Sequence, residues 1–353
     1  MIPTLTELRM ILQWRRRTVA AVHAIDDEPL DAAAVEAGAW VPPYGPGDTL
    51  GTYCEVTPPK RAAALGLLDG RVEVRSFNLG ETFFDGFPAY GGRTFEQDLW
   101  GSGFASTDRV GTGRKRPWGP NRLVSLEERV RFSFNMGAKV NGLAHCGVGD
   151  LLYGARSLAT YLAEGARALD TTTFGPPIVT RGLLFDMLGF YVAHDRGDAL
   201  SDAPDGRMLV RDNHRITVED LEACATWTGL GAIEPGDAVL LRTGWRRLLR
   251  TDPARYLAAN PGVFLRETRW LAQFRPALVA ADTWCFETID PAVTGSFVTP
   301  CHQELLVRFG IRLGEGFDLD ELADAGVTQF VFCHAPLPVE RAVSSNAPAI
   351  ALA

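Results

Sequence analysis

The stretch IEPGDAVLLRTGW, residues 233–245, decides the expected fold, because the segment DAVLLRTGW within it predicts a buried strand. A short, continuous apolar run between turn residues is typical of such a strand. The segments ALVAAD (277–282) and TQFVFCHA (328–335) have the same character. All three segments are therefore predicted to be buried strands.

Helical patterns separate these strands along the chain. TVEDLEACATWTGL (217–230) starts with Thr217 as N-cap and has acidic residues at 219 and 220, in its first turn, as a helix start favours. Helices are also predicted for residues 61–68, 154–169, 244–258, 265–273, 300–309 and 318–325, and strands for 71–77, 129–134 and 177–192, the last with a break at Arg181–Gly182. Strands that alternate with helices indicate the α/β class, and the segments near both ends suit antiparallel pairing, so we expect a mixed sheet.

Composition excludes several classes of protein. The chain has 353 residues, of which 46% are hydrophobic, and this suits one large domain or two moderate ones. A net charge of −8 argues against a nucleic-acid partner. The short basic clusters at 15–17 and 112–116 are interpreted as surface.

The beginning of the chain predicts a cytoplasmic protein. MIPTLTELRMILQWRRRTV places its basic residues after a short apolar stretch, the reverse of a signal peptide, and is interpreted as an amphipathic helix. No apolar run has the length of a membrane span. The six cysteines have no framework spacing and are expected to be reduced, small buried residues.

Residues 79–128 have little periodicity and many glycines, prolines and aromatics. A loop of this length inside a domain is usually a cover over a site or a subunit contact. Its aromatic residues could close over an apolar or aromatic substrate, and a subunit interface explains them equally well. These residues are Phe83, Phe84, Phe87, Tyr90, Trp100, Phe104 and Trp118.

The segment NMGAKVNGLAHCG, residues 135–147, has the polar side chains and glycines expected of an active-site loop. It offers Asn135, Lys139, Asn141 and His145 within eleven positions. Of these four, only histidine is a usual metal ligand or general base. The segment is thus spaced like a metal site but contains amides and an amine.

Six blocks of the sequence, in order, resemble the cyclase superfamily of metal-dependent hydrolases, which includes kynurenine formamidases and isatin hydrolases. The resemblance runs from about Tyr44 to Ala349. It implies a swivelling β/β/α fold that assembles into homodimers or homotetramers, here over residues 41–353 after an N-terminal helical extension over 1–40. The blocks are YGPGDTLGTYCEVTPPK (44–60), PIVTRGLLFDM (177–187), IEPGDAVLLRTGW (233–245), LVAADTWCFE (278–287), CHQELLVRFGIRLGEGFDLDEL (301–322) and GVTQFVFCHAPL (326–337).

The superfamily motif HxGTHxDxPxH aligns with residues 135–145 without gaps. In the superfamily its first two histidines and its aspartate bind a divalent metal, often zinc or manganese, and its last histidine acts in acid–base catalysis. The alignment places Asn135 and Lys139 on the two ligand histidines, Asn141 on the aspartate and His145 on the catalytic histidine. Two further ligand positions, a histidine and a glutamate, match His302 and Glu315, so the resemblance implies two of five metal ligands.

The substitutions disfavour a metal ion, because an ammonium has no lone pair and repels a cation, and an amide oxygen is a weak ligand. Lys139 is instead expected to place its charge where the metal would lie, paired with Glu315 and hydrogen-bonded by His302. A fixed positive charge can hold a developing oxyanion, Asn135 and Asn141 can donate to it, and His145 can move protons with a pKa near neutrality.

This reasoning predicts a metal-independent enzyme that acts on a reactive carbonyl compound by ring closure, ring opening, dehydration or rearrangement. The substrate is expected to be a small aromatic or polyketide-like molecule of secondary metabolism. No cofactor, nucleic acid or membrane is expected as a partner.

Other hypotheses use the same residues. The chain could be a hydrolase of a lactone, cyclic amide or formamide with zinc or manganese on His302 and Glu315, or a catalytically silent scaffold in which Lys139 and Glu315 form a structural pair. Lys139 could form a Schiff base, and Cys146 or Cys301 could be a nucleophile, although an inert buried thiol is favoured for each.

The charged residues of the shared blocks are expected to organise strand ends near the site, and Asp282 and Glu287 to reach the pocket. The others are Arg181, Asp186 and Arg242.

Overall fold

The computed structural model describes residues 25–37, 42–45, 47–102 and 119–353, without the side chains of residues 100–102. The predicted amphipathic helix near the N-terminus, both basic clusters, Phe104 and Trp118 lie outside these ranges. Within them, no helix has the length and hydropathy needed to cross a membrane. Part of the expected N-terminal extension is described: Asp27 pairs with Arg215 at 2.8 Å, and Val35 is buried against Val148 and Val307.

A mixed sheet of nine strands organises the described chain, and this confirms the predicted α/β class. Its strand order is β1-β15-β13-β7-β10-β11-β12-β4-β14. The strands β7, β10, β11 and β12 are parallel, and the others pair antiparallel on both sides of them. These strands are β1 (Ser76–Asn78), β4 (Lys139–Asn141), β7 (Ile178–Asp186), β10 (Ala238–Arg242), β11 (Leu278–Ala281), β12 (Arg312–Glu315), β13 (Gln329–His334), β14 (Ser344–Ser345) and β15 (Ile350–Leu352).

Three smaller antiparallel pairs lie outside the main sheet. They are β2 (Phe95–Ser102) with β3 (Ser125–Phe132), β5 (Leu151–Leu152) with β6 (Arg156–Ser157), and β8 (Leu200–Asp202) with β9 (Met208–Val210).

Helices pack around the main sheet. The α-helices are α1 (Ala32–Glu36), α2 (Pro58–Leu65), α3 (Leu158–Ala163), α4 (Met187–Ala193), α5 (Val218–Thr228), α6 (Leu248–Thr251), α7 (Pro253–Ala258), α8 (Leu265–Ala272), α9 (Pro291–Thr294), α10 (Pro300–His302) and α11 (Asp320–Asp324). A π-helix spans Gln303–Phe309, and 3₁₀ turns span Gly51–Glu55, Gly66–Leu68, Tyr153–Ala155, Thr171–Thr173, Gly197–Ala199 and Trp245–Arg247.

The central strands are buried, as their composition predicts, and the structure covers them on both faces. Every residue of β10 and β11 is buried. Alternate side chains of β10 enter two different clusters, since Val239 and Leu241 pack on one face of the sheet and Ala238 and Leu240 on the other. Because a strand has a side-chain period of two, only a continuously apolar sequence can satisfy both clusters.

Several predicted elements differ from the structure. The strand predicted for 71–77 is confined to Ser76–Asn78, because β1 pairs only with the three residues of β15, and Val72 is fully exposed. The helix predicted for 154–169 is limited to α3. The helix predicted for 244–258 is divided before Pro253, whose preceding residue Asp252 caps α7 by accepting from the amide of Arg255.

The segment 177–192 is an unbroken strand followed by a helix, so the predicted break at Arg181–Gly182 is wrong. Gly182 lies inside β7, and a Cβ at this position would come within 2.2 Å of the Phe330 ring. The glycine therefore allows close packing between β7 and β13. Asp186 ends the strand and caps α4 by accepting from the Gly189 amide at 2.9 Å.

The register between β4 and β12 places the polar loop of residues 135–145 against the core. Lys139 pairs with Glu315, and Asn141 pairs with Leu313, across these antiparallel strands. Gly316, at a φ of +69°, lies so close to Gly137 that a Cβ would come within 2.5 Å of the Gly137 carbonyl oxygen. This contact permits β4 and the end of β12 to approach each other.

Candidate active site

A pocket of about 550 Å³ lies where the loop before β4, the end of β12 and the start of the π-helix meet. Five of the six predicted site residues line it, namely Asn135, Lys139, His145, His302 and Glu315. The sixth, Asn141, is buried behind them and hydrogen-bonds Glu315. The volume is in the range of small-molecule sites.

Glu315 is the most extensively bonded side chain of the site. Its Oε2 lies 2.5 Å from Lys139 Nζ and accepts from the Asn141 amide at 3.1 Å, while Oε1 accepts from the Phe286 backbone amide at 2.9 Å. Burial favours the neutral acid, but the charges of Lys139 and His302 prevail and hold the pKa of Glu315 well below its usual value. The predicted pairing of Lys139 with Glu315 is confirmed.

His302 lies between two carboxylates. Its Nδ1 is 2.6 Å from Glu287 Oε1, and its Nε2 is 3.3 Å from Glu315 Oε1. Burial lowers the pKa of His302, but Glu315 and then Glu287 more than offset this and raise it well above the usual value. The two carboxylates therefore favour the imidazolium form of the ring. Glu287 reaches the pocket, as predicted, whereas its contact with His302 was not predicted from the sequence.

His145 has the opposite protonation. Its ring centroid is 6.1 Å from that of His302, and burial together with the charge of His302 lowers its pKa to about 3. The expectation of a pKa near neutrality is thus corrected: His145 is neutral in the free protein. When two neighbouring histidines have well-separated pKa values, the protonated one can act as the acid and the neutral one as the base. Here these are His302 and His145, respectively.

The two asparagines have different positions. The Asn135 amide nitrogen lies 3.2 Å from His145 Nε2, while its Oδ1 is buried and has no hydrogen-bond partner among the described residues. Asn135 therefore has one polar atom left for a bound molecule. Asn141 uses both ends of its amide, donating to Glu315 and accepting from the Ser344 hydroxyl at 3.0 Å. Asn141 is thus suited to positioning Glu315, and the expectation that it donates into the pocket is not supported.

Comparison with known families gives a clear assignment. The sequence model of the Cyclase family, described as "Putative cyclase", matches residues 77–288. The chain belongs to the Cyclase family. This match includes the loop of Asn135, Lys139, Asn141 and His145, and it ends before His302 and Glu315.

Solved structures share the fold of this Cyclase-family chain. A crystal structure described as a novel cyclase has 23% identity and a TM-score of 0.69, over 87% of this chain and 95% of that chain. Isatin hydrolase A from Ralstonia solanacearum has 19% identity and a TM-score of 0.57, over 82% of this chain and 95% of that chain. Isatin hydrolase A from Labrenzia aggregata, bound to benzyl benzoate, has 18% identity and a TM-score of 0.54, over 82% of this chain and 97% of that chain. A search of curated protein sequences gives no significant match.

One group of side chains in this Cyclase-family site has the composition of a metal-binding group. The ligand atoms of Cys285, His302 and Glu315 lie within 4.8 Å of one another. The sequence pointed to His302 and Glu315 but missed Cys285, which lies in a different block.

The surroundings of these three donors do not fit a divalent ion. A cation beside the donors works against a second one, because like charges repel. Glu315 already binds the Lys139 ammonium at 2.5 Å. An ion at this position would lie beside the Lys139 ammonium, which is the reason for which the sequence disfavours a metal.

Apolar and aromatic side chains form the pocket walls. Tyr90 stacks on Trp284 at 5.4 Å between ring centroids and an angle of 17°, and the Trp284 indole donates to the Ala259 carbonyl at 3.1 Å. Phe297 and Val298 are exposed at the opening, at 51% and 82%. Of the predicted lid aromatics, Tyr90 lines this pocket, while Phe83, Phe84 and Phe87 pack against one another.

The remaining predicted residues lie in structural interactions. Asp282 does not line the pocket and accepts from the amides of Thr243 and Gly244, at 2.9 and 2.6 Å. Arg242 pairs with Asp186 and Asp320, and Arg181 with Asp237.

The environments of Cys146 and Cys301 favour the thiol form, in line with the inert thiols that the sequence favoured. Cys146 lines the pocket and Cys301 is fully buried, and burial raises the pKa of both thiols. These environments favour inert thiols over thiolate nucleophiles.

Proposed function

We propose that this Cyclase-family chain is a metal-independent enzyme that converts a small carbonyl compound through an oxyanion intermediate. The supporting observation is the Lys139 ammonium, 2.5 Å from Glu315 in the wall of the pocket and only 4% exposed. A charge fixed in a water-poor site interacts with a developing oxyanion more strongly than the same charge in water.

The other residues supply proton transfer. Neutral His145 accepts a proton from the substrate at its ring lone pair, where the substrate replaces the Asn135 amide N–H that holds the ring in the free protein. Imidazolium His302 donates one, with Glu287 and Glu315 stabilising its charge. Enolisation, ring closure, ring opening, dehydration and rearrangement need such a pair and no metal-bound hydroxide.

The walls favour a planar, apolar substrate. The Tyr90–Trp284 stack and Phe297 offer aromatic surface around a cavity of about 550 Å³, which accommodates a one- or two-ring molecule. We therefore propose an aromatic or polyketide-like compound of secondary metabolism as the substrate.

The experiment that tests this proposal combines metal analysis with turnover. Purified protein is analysed for zinc and manganese and assayed against isatin, formanilide and phenyl-substituted 1,3-diketones, with and without EDTA. We expect less than a stoichiometric amount of metal, turnover unchanged by EDTA, and loss of turnover in Lys139→Met and His145→Asn. Stoichiometric metal that is lost together with activity on chelation would overturn the metal-independent mechanism.

A metal-dependent hydrolase of a cyclic amide, lactone or formamide is the second candidate. Two observations favour it: the grouping of Cys285, His302 and Glu315, and the fold shared with isatin hydrolases. Activity that appears only after zinc or manganese is added would select this candidate. A catalytically silent scaffold would instead show no turnover with any compound and no change in ligand binding in Lys139→Met or His145→Asn.

A further inference from the structure

Arg93 is the one charged residue of the pocket lining whose charge is not compensated within the described residues. The lining contains the cations Lys139 and His302 and the carboxylates Glu315 and Glu287, which pair with each other. Arg93 also lines the pocket, and it has no ion-pair partner in the described ranges. Among the described residues, the pocket lining therefore retains one net positive charge.

A tight turn places Arg93 in the pocket lining. Gly91 and Gly92 have φ values of +71° and +75°, which glycine adopts without strain, and they reverse the chain between Tyr90 and Arg93. Both flanking side chains consequently line the same pocket. Arg93 also lines a small adjoining cavity together with Asn135 and Lys139.

The charge of Arg93 acts on the candidate catalytic groups. It is one of the contributions that lower the pKa of His145, and it partly offsets the rise that burial causes in the pKa of Cys146. A half-buried, uncompensated guanidinium next to a catalytic group attracts an anionic ligand. Arginine also offers a planar pair of N–H donors that matches a carboxylate.

We propose that Arg93 is a specificity-determining residue, which binds a carboxylate carried by the substrate. The aromatic ring of such a substrate lies along the Tyr90–Trp284 wall, so that its carbonyl group is presented to Lys139 and His145. The substrate class is thus narrowed to aromatic carboxylates. This inference rests on the proposed function only in that the pocket is the substrate site, and it is independent of the reaction and of any metal.

Binding of two matched probes tests the inference without turnover. 4-Fluorobenzoate and 4-fluorobenzamide have nearly the same shape but differ in charge, and ¹⁹F NMR titration gives a Kd for each. With the wild-type protein we expect the benzoate to bind about tenfold or more tightly than the amide, since charge-assisted hydrogen bonds are about twice as strong as neutral ones. In Arg93→Gln this preference should disappear through weaker benzoate binding.

Two further variants serve as controls. Arg131→Gln removes an exposed arginine of β3 outside the pocket and should leave both Kd values unchanged. Arg93→Lys keeps the charge and should retain part of the preference. A thermal melt verifies that each variant is folded.

Three results would overturn the inference: equal binding of both probes to the wild-type protein, an unchanged preference in Arg93→Gln, or no binding of the benzoate at millimolar concentration. Failure of the proposed function is recognised separately, because metal dependence or lack of turnover does not alter these Kd values.

Discussion

His145 and Lys139 illustrate how much chemistry single residues decide in this pocket. Lys139 is buried and His145 is partly buried, and both line the same pocket. His145 is neutral because burial and the His302 charge lower its pKa, whereas the Lys139 amine contacts the Glu315 carboxylate. Changing either side chain should therefore affect the reaction more than the fold.

His145→Asn should lower kcat about a hundredfold or more while KM changes only a few-fold, because proton transfer is lost and the walls are retained. Steady-state kinetics on the compound that the screen identifies measures both constants. The exposed His194→Asn is the matched control and should behave as wild type. Equal losses in both variants would show that His145 has no specific role.

A gain of metal binding is expected when Asn135→His, Lys139→His and Asn141→Asp are combined. These changes remove the ammonium and add three ligands near His302 and Glu315, so a site with enough donors is formed. Equilibrium dialysis should give one zinc ion per triple-variant chain. Lys139→Met alone removes the charge but adds no ligand, and it should bind zinc at least about tenfold more weakly. Equal zinc affinity in these two variants would contradict the alignment of this loop with a metal motif.

At the scale of elements, short antiparallel pairing sets the geometry of the site. β4 has only three residues, yet its register places Lys139 directly opposite Glu315. Gly316 follows immediately and contacts the backbone of Gly137, which lies two residues before Lys139. The glycine pair thus fixes how closely the loop and β12 approach, and this approach keeps the ion pair short.

Gly316→Ala should lower the free energy of unfolding by about 2–4 kcal/mol, because the new Cβ adds overlap with Gly137 to the strain of a positive φ. Gly326→Ala is a precise control, since its φ of +68° is almost the same and a Cβ there would contact nothing within 4 Å. Gly326→Ala should lower the free energy of unfolding by only about 1 kcal/mol. Urea denaturation measures both, and equal losses would mean that the Gly316–Gly137 contact is unimportant.

The elements that the sequence predicts well are those whose own residues determine their burial. β10, β11 and β13 are continuous apolar runs, and α5 has both the predicted Thr217 cap and a capping box with Asp220. The predictions for 71–77 and 154–169 failed because tertiary partners decide where those segments pair. No local sequence pattern indicates that β1 pairs with only three residues of β15.

The site residues could be predicted where they match the spacing of the superfamily motif and its further ligand positions. Those outside that pattern could not be predicted. Asn135, Lys139, His145, His302 and Glu315 meet in one pocket, as the resemblance implied. Cys285 and Arg93 were missed, because neither belongs to the motif and both reach the pocket through the long-range packing of separate segments. The pKa of His145 also depends on burial and on a charge 157 positions away, that of His302, which composition does not reveal.

At the scale of the whole molecule, buried histidines link stability to pH. Burial lowers the pKa of His334, at the end of β13, and of His214 to about 4 each. The unfolded chain binds protons at these histidines as pH falls below about 6.5, while the folded protein does not until about pH 4. Their contribution to stability is therefore present above pH 6.5 and is lost as the pH falls through this interval.

His334→Gln should reduce the dependence of stability on pH between about 6.5 and 4. A buried neutral histidine contributes a slope of up to about 1.4 kcal/mol per pH unit in this window, and glutamine contributes none. The free energy of unfolding in urea, measured at several pH values for wild type and variant, gives the difference. Parallel pH profiles would contradict the assignment, and His214 accounts for part of the slope that remains in the variant.

The pairing of Lys139 with Glu315 also determines whether the activity of such a catalyst depends on the metal supply of the cell. A bound metal exchanges with its surroundings, so its identity follows metal supply, competition among ions and the presence of chelators. A charge on a side chain is encoded in the gene and is in place as soon as the chain has folded. Under the proposed mechanism, turnover would be unaffected by metal starvation and by replacement with a wrong ion, and a single codon change at position 139 would suffice to abolish it.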